Sequence, residues 1–165
     1  MNKSVKYFII ALFVCNYIIA QDTIKNPFKY VLDHRLNKVE TNELFNDGQI
    51  FIIVSSRTCA ACVNYFAKSN IKVQYLFYLN SELLLETKNI IDIYYLNQKK
   101  DYVHFYTDDI LNRKETFIDP NMRSPAMLIT KKGRLILYSY EVLSTITNEF
   151  QLPYKKLRAK LNKLH

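Results

Sequence analysis

The stretch SSRTCAACVNYF, Ser55 to Phe66, carries two cysteines separated by two alanines, Cys59 and Cys62. Thiols at this spacing serve one of three chemistries: disulfide exchange by a redox dithiol, half of a tetrahedral zinc site, or a structural disulfide. Zinc takes about four ligands. Besides this pair, the chain beyond residue 20 offers only His34, His104 and His165 as further cysteine or histidine donors, and no second CxxC or HxxxH completes a set. A disulfide across so short a loop removes little chain entropy and stabilises little.

Whichever chemistry applies, the flanking elements must hold the pair. Upstream, QIFIIVS is short, β-branched and almost continuously apolar, which predicts a strand buried on both faces. CAACVNYFAKS then reads as a helix that starts at the cysteines, with Val63, Phe66 and Ala67 on one side. IKVQYLFYLN predicts a second strand and SELLLETKNIIDIYYL a second helix, with Asn80 or Ser81 as its N-cap. Strand, helix, strand, helix argues for a parallel βαβ unit. DYVHFYTDD predicts a further strand and ILNRKETFIDPNMR a connecting turn or short helix. SPAMLITKKGRLILYSYEVL reads as two strands joined at Lys132-Gly133. The closing PYKKLRAKLNKLH is a helix with Tyr154, Leu157, Leu161 and Leu164 on one apolar stripe. Residues 49–165 form one domain in this reading. Residues 21–48 are a polar, partly helical lead-in with Phe28, Tyr30, Val31, Leu32, Leu36, Val39 and Leu44 as packing points. With only two glycines and four scattered prolines, no flexible linker divides the chain.

This order of elements, with CxxC between the first strand and first helix and a proline opening the hairpin, resembles the thioredoxin fold. Within it, the chain is most similar to the exported, redoxin-like thiol-disulfide oxidoreductases of the cytochrome c maturation type. The resemblance spans Gln49 to Leu164. It is carried by Cys59-Ala60-Ala61-Cys62 and by Ser124-Pro125-Ala126-Met127-Leu128-Ile129 followed by Lys132-Gly133-Arg134. It implies an α/β, thioredoxin-like fold: a central mixed sheet flanked by helices, with an inserted helix and strand between the CxxC half and the cis-proline hairpin. KDYVHFYTDD is the extra strand. It further implies that Cys59 and Cys62 exchange with protein thiols and disulfides and with an upstream redox partner, without cofactor or metal. Ser124-Pro125 matches the family's cis pair, which lies against the dithiol and offers the backbone of the residue before proline to an extended substrate.

A helix starting at Cys59 aims free N–H groups and the positive end of its dipole at the first sulfur. Cysteine pKa values at such sites fall from about 8.5 to roughly 3.5–7.5. Cys59 is therefore the expected attacking thiol, and Cys62, one turn on and more buried, the resolving one. Arg57 either adds positive potential near Cys59 or is an exposed arginine without a role.

Two departures from the family pattern are evident. Thr58 stands where these proteins often carry Trp, and Ile53 stands where thioredoxins carry a buried Asp six residues before the first cysteine. The proton on Cys62 then needs another acceptor, such as water, Glu82 or Glu86. Among the alternatives, peroxiredoxins place Pro and then Thr or Ser ahead of the reactive cysteine, whereas here Ser56 is preceded by Ile52 at the proline position. Copper carriers of this fold look different in having CxxxC. An interaction domain with a structural disulfide predicts no thiol turnover. His104 reads as a core or surface residue more readily than as a ligand.

The first twenty residues, MNKSVKYFIIALFVCNYIIA, carry Lys3 and Lys6 ahead of an apolar stretch that ends in Ile-Ile-Ala. That is the layout of a cleavable secretory signal. The run of about fourteen residues is shorter than the roughly 20 that span a bilayer, so a retained anchor is the lesser reading. Lipidation at Cys15 is another, since bulky Val14 precedes it. Export places the chain in the periplasm of a Gram-negative cell or otherwise outside the cytoplasm, where disulfides persist. The formal charge of +8 falls to +6 on maturation, because the signal holds two Lys and no Asp or Glu. The remaining excess gathers in the last helix, either as a solvated face or as a weak contact for an acidic partner or membrane surface. No nucleic-acid motif is present. Exported material should therefore begin near Gln21 on N-terminal sequencing; an intact Met1 would mark a retained anchor, and a modified Cys15 a lipid anchor.

Overall fold

Every residue of Ile50–Val54 (β4) is buried, as a strand apolar on both faces requires. The computed structural model describes residues 22–24, 26–55, 57–79, 87–94, 96–112, 118–119 and 121–164. The leader read over residues 1–20, with Cys15, lies outside the described residues, as do Ser56, Glu82, Glu86 and His165. The other strands of the main sheet are Asp22–Ile24 (β1), Tyr30–Leu32 (β2), Lys38–Glu40 (β3), Gln74–Tyr78 (β6), Val103–Tyr106 (β7), Ala126–Lys131 (β9) and Arg134–Tyr138 (β10). Arg57–Thr58 (β5) and Arg123–Ser124 (β8) form a separate two-stranded ladder. The helices are Thr41–Leu44 (α1), Ala60–Lys68 (α2), Thr87–Ile93 (α3), Tyr140–Ile146 (α4) and Tyr154–Leu164 (α5).

The chain has a mixed α/β fold. Its eight-stranded sheet runs β1-β10-β9-β4-β6-β7-β2-β3. β4, β6 and β7 are parallel neighbours, and β9 joins β4 antiparallel, with Phe51 opposite Leu128 and Ile52 opposite Met127. β4–α2–β6 is thus the βαβ unit read from the sequence. The β9–β10 hairpin turns at Lys132 and Gly133, whose φ values of 52° and 70° are both positive. A two-residue turn of that sign matches the right-handed twist of the strands it joins.

Side chains alternate along the sheet and so build two cores. On one face Ile50, Ile52, Val54, Tyr75, Phe77 and Phe105 pack with Val63 and Phe66 of α2, Ile91 of α3, Leu143 of α4, and Leu157 and Leu161 of α5. On the other, Phe51, Ile53, Leu76, Tyr106 and Leu128 pack with Phe28, Val31, Leu44 and Ile110.

The structure departs from the sequence reading in two places. Residues 21–48, expected as a partly helical lead-in, supply three strands of the main sheet and one four-residue helix. Tyr30, Val31 and Leu32 have the aromatic and β-branched character that suits a pleated surface, and Val31 is fully buried under it. The second hairpin strand, expected through Leu143, stops at Tyr138, and α4 follows. Ser139 adopts the extended geometry of an N-cap, Glu141 sits in the first turn, and Leu143 and Ile146 fall one turn apart on the buried side.

The last helix is docked as its stripe predicts. Leu157 and Leu161 are buried, Lys160 Nζ donates to the Ile146 carbonyl at 2.8 Å, and Lys155, Lys156, Arg158 and Lys163 face solvent. Leu161→Ala should destabilise the protein by about 2–5 kcal/mol through lost transfer energy and a residual cavity. Lys156→Ala should change it by no more than about 0.5 kcal/mol. Urea midpoints at unchanged m-value measure both.

Candidate functional site

Two alanines between the cysteines favour an immediate helical turn, and α2 begins at Ala60. Cys59 is the N-cap. Its backbone is extended, its carbonyl accepts from Cys62 N and Val63 N at 3.0 and 3.1 Å, and its Sγ accepts from Cys62 N at 3.3 Å. The two cysteines are joined as a disulfide with a Cα–Cα distance of 5.2 Å. Cys59 is partly exposed, while Cys62 is buried beneath the turn. The Cys62 N–H in the first turn is therefore shared between the Cys59 carbonyl and the more accessible sulfur, at the positive end of the helix dipole. At the far end of α2, Lys99 Nζ donates to the Ala67 and Ser69 carbonyls at 2.8 and 2.7 Å, a cation at the negative end of the dipole.

The segment before the helix is zipped to the segment before the hairpin. Thr58 pairs with Ser124 and Arg57 with Arg123 in the β5–β8 ladder. Cys59 N donates to the Ser124 carbonyl at 3.1 Å, Ser55 N to Ser124 Oγ at 3.1 Å, and Ser55 Oγ to the Met122 carbonyl at 2.5 Å. The Ser124-Pro125 peptide is cis, and both residues are buried. Two sequence-predicted site segments are thus brought together, 65 positions apart in the case of Cys59 and Ser124 (124 less 59). The Ser124 backbone was expected to meet substrate, and its carbonyl is bonded within the chain to Cys59 N–H. Arg57 contributes its backbone to the ladder; its side chain lies outside the described residues.

Two site residues were missed by the sequence reading. Tyr140, the first residue of α4, brings its hydroxyl to 3.9 Å from Cys62 Sγ. Arg123, in β8, stacks its guanidinium over the Tyr140 ring at 4.0 Å from the centroid. The Phe150 ring lies 5.7 Å from the same ring. Arg123 had a usable signal, its place immediately before Ser124-Pro125. Tyr140 had none, since the local pattern reads as a strand. Ile53, at the position where a buried carboxylate was looked for, is fully buried in β4 among apolar neighbours.

His104 is a core residue on β7. Its Nε2 shares a hydrogen bond of 3.0 Å with Gln74 Oε1, its Nδ1 is buried without a partner, and burial pushes its pKa down to about 4. Among the described residues, no group of three or more His, Cys, Asp or Glu side chains is placed to hold a metal ion. Among them, too, no helix is long and apolar enough to cross a membrane. No protein-family model matches the chain, and no curated protein or solved structure is significantly similar to it.

The His104 shift makes stability depend on pH. The unfolded chain takes up the proton near pH 6.5, the folded chain only near pH 4, so the stabilisation is complete above about 6.5 and is lost as the pH falls toward 4. The shift corresponds to about 3 kcal/mol. Urea midpoints measured across that window should fall more steeply for the native sequence than for His104→Gln.

Proposed function

We propose that this protein is a thiol-disulfide oxidoreductase of thioredoxin-like fold, which exchanges its Cys59–Cys62 pair with cysteines of protein substrates outside the cytoplasm. The observation that carries the reading is Cys59 at the N-cap of α2, disulfide-bonded to Cys62 and hydrogen-bonded through its own N–H to the residue before a cis proline. The element order supports it as well: a βαβ unit with the cysteines at its first turn, then a hairpin opened by that proline, then closing helices. β7 pairs parallel with β6, which is compatible with its being the extra strand expected of a redoxin-like member.

In this reading the reduced Cys59 thiolate attacks one sulfur of a substrate disulfide. The other substrate sulfur leaves as thiolate, and a mixed disulfide forms. Cys62 loses its proton to solvent and attacks Cys59 Sγ; the Cys59–Cys62 bond forms, and the second substrate thiolate leaves and takes a proton from water. Two electrons pass from the dithiol to the substrate, and the reverse sequence oxidises a substrate dithiol. An upstream dithiol or disulfide protein restores the starting state. The exposed lysines of α5 offer a weak contact for an acidic partner or membrane surface.

Cys62→Ser should accumulate mixed disulfides with partner proteins, because the thiol that releases them is gone while the helix-capped nucleophile remains. Cys59→Ser should accumulate few. Non-reducing gels and mass spectrometry of the captured species read the outcome and identify the substrates. Absence of capture by either variant would leave a structural disulfide in an interaction domain.

A further inference from the structure

Ile53, six residues before Cys59, is buried on the face of the sheet opposite α2, and Glu82 and Glu86 lie outside the described residues. Among the described residues, the phenol of Tyr140 reaches the sulfur of the resolving thiol, 3.9 Å from Cys62 Sγ. That contact comes from a different element, α4, and its geometry is constrained. The Tyr140 ring carries the Arg123 guanidinium at 4.0 Å and packs near Phe150. Arg123 belongs to β8, the strand that holds the Cys59 loop through Ser124. The Glu141 carboxylate, next along α4, is held below the usual carboxylate range first by the hydrogen bond from Ser139 Oγ and least by the Arg123 charge. Dithiol, phenol and guanidinium form a chain of contacts from α2 through α4 to β8.

Resting on the oxidoreductase reading, we propose that Tyr140 is a catalytic residue that donates a hydrogen bond to the Cys62 thiolate as it attacks the mixed disulfide, and that Arg123 is the residue that positions it. A phenol can fill this role without being an ion in a buried site. A hydroxyl aimed at a developing thiolate favours the charged form, and a guanidinium over the ring favours build-up of negative charge nearby. The proton of Cys62 still goes to solvent, and the phenol keeps its own. Arg123 holds the ring by a contact that a planar cation makes well.

The effect is limited by two opposing consequences. A hydrogen bond that raises the thiolate fraction about tenfold also lowers nucleophilicity by about threefold, given a Brønsted coefficient of about 0.4–0.5. The net gain in the resolving step is about threefold.

The test isolates that step. The reduced full chain is mixed with the aromatic disulfide of thionitrobenzoate. Cys59 attacks and releases one thionitrobenzoate, and Cys62 then attacks the Cys59 mixed disulfide and releases a second, in a phase independent of reagent concentration. Tyr140→Phe, which keeps the ring and its cation contact, should slow the second phase by about threefold and leave the first unchanged. Arg123→Gln should slow the same phase in the native background and have no further effect in Tyr140→Phe, while Arg123→Lys restores part of the rate. An unchanged second phase in Tyr140→Phe, or equal slowing of both phases, would overturn the role of Tyr140 and leave the oxidoreductase reading standing. Additive effects of Tyr140→Phe and Arg123→Gln would overturn the role of Arg123. Release of no second equivalent by the native protein would overturn the oxidoreductase reading, and this proposal with it.

Discussion

The hydrogen bond from Cys59 N–H to the Ser124 carbonyl is the point at which the two halves of the fold meet at the sulfur pair. An N-cap residue does not have its own N–H bonded within the helix it opens, and here that donor is taken by the segment leading into β9. The same residue's carbonyl and sulfur serve the first turn of α2. Cys59 therefore belongs to both the βαβ half and the hairpin half. Its orientation is set by backbone bonds on each side, and the accessible sulfur is left at the mouth of the turn.

Holding that junction still is a task for the cores. β4 leads to Ser55, which bonds to Ser124 and Met122, and it is covered on both faces, by α2, α4 and α5 on one and by the Phe28–Leu44 region on the other. α2 is fastened along its length as well. Tyr65 donates its hydroxyl to the Leu152 carbonyl at 2.6 Å and packs against Tyr154, and burial raises its pKa to about 12. Phe150 packs near Tyr65, Phe66 and Tyr140. It reaches them from a turn in which Asn148, Glu149 and Phe150 all have positive φ. Left-handed backbone is unfavourable for residues with a Cβ, so its packing must outweigh that local preference.

Polar contacts near the dithiol are made on the side facing β8 and α4. Serine hydroxyls pair with backbone groups where β4 ends, and the aromatic–cation stack of Tyr140 and Arg123 lies alongside Cys62. On the sheet side α2 packs through apolar side chains, Val63 and Phe66 among them. In the proposed reaction this division has a clear consequence: charge on either sulfur is met by N–H and hydroxyl dipoles, whereas burial without such partners would oppose it.

What the sequence determined by itself is whatever depends on near neighbours. The unbroken apolar run of β4, the stripe of α5, the Lys132-Gly133 turn and the placing of Cys59 at a helix start all follow from propensities and periods within a few residues. The i, i+3 cysteine spacing lies on that local scale too. The tertiary structure decided the rest. Asp22–Ile24 and Tyr30–Leu32 became sheet strands because open edges at β10 and β7 were available to pair with, a fact with no local signature. SYEVL became helix because Leu143 had a core face to fill, although its alternation is equally compatible with a strand. Tyr140 reached Cys62 only through that outcome. Side-chain neighbours separated by 78 positions are set by how elements pack, and a period read along the chain carries no information about distance across it.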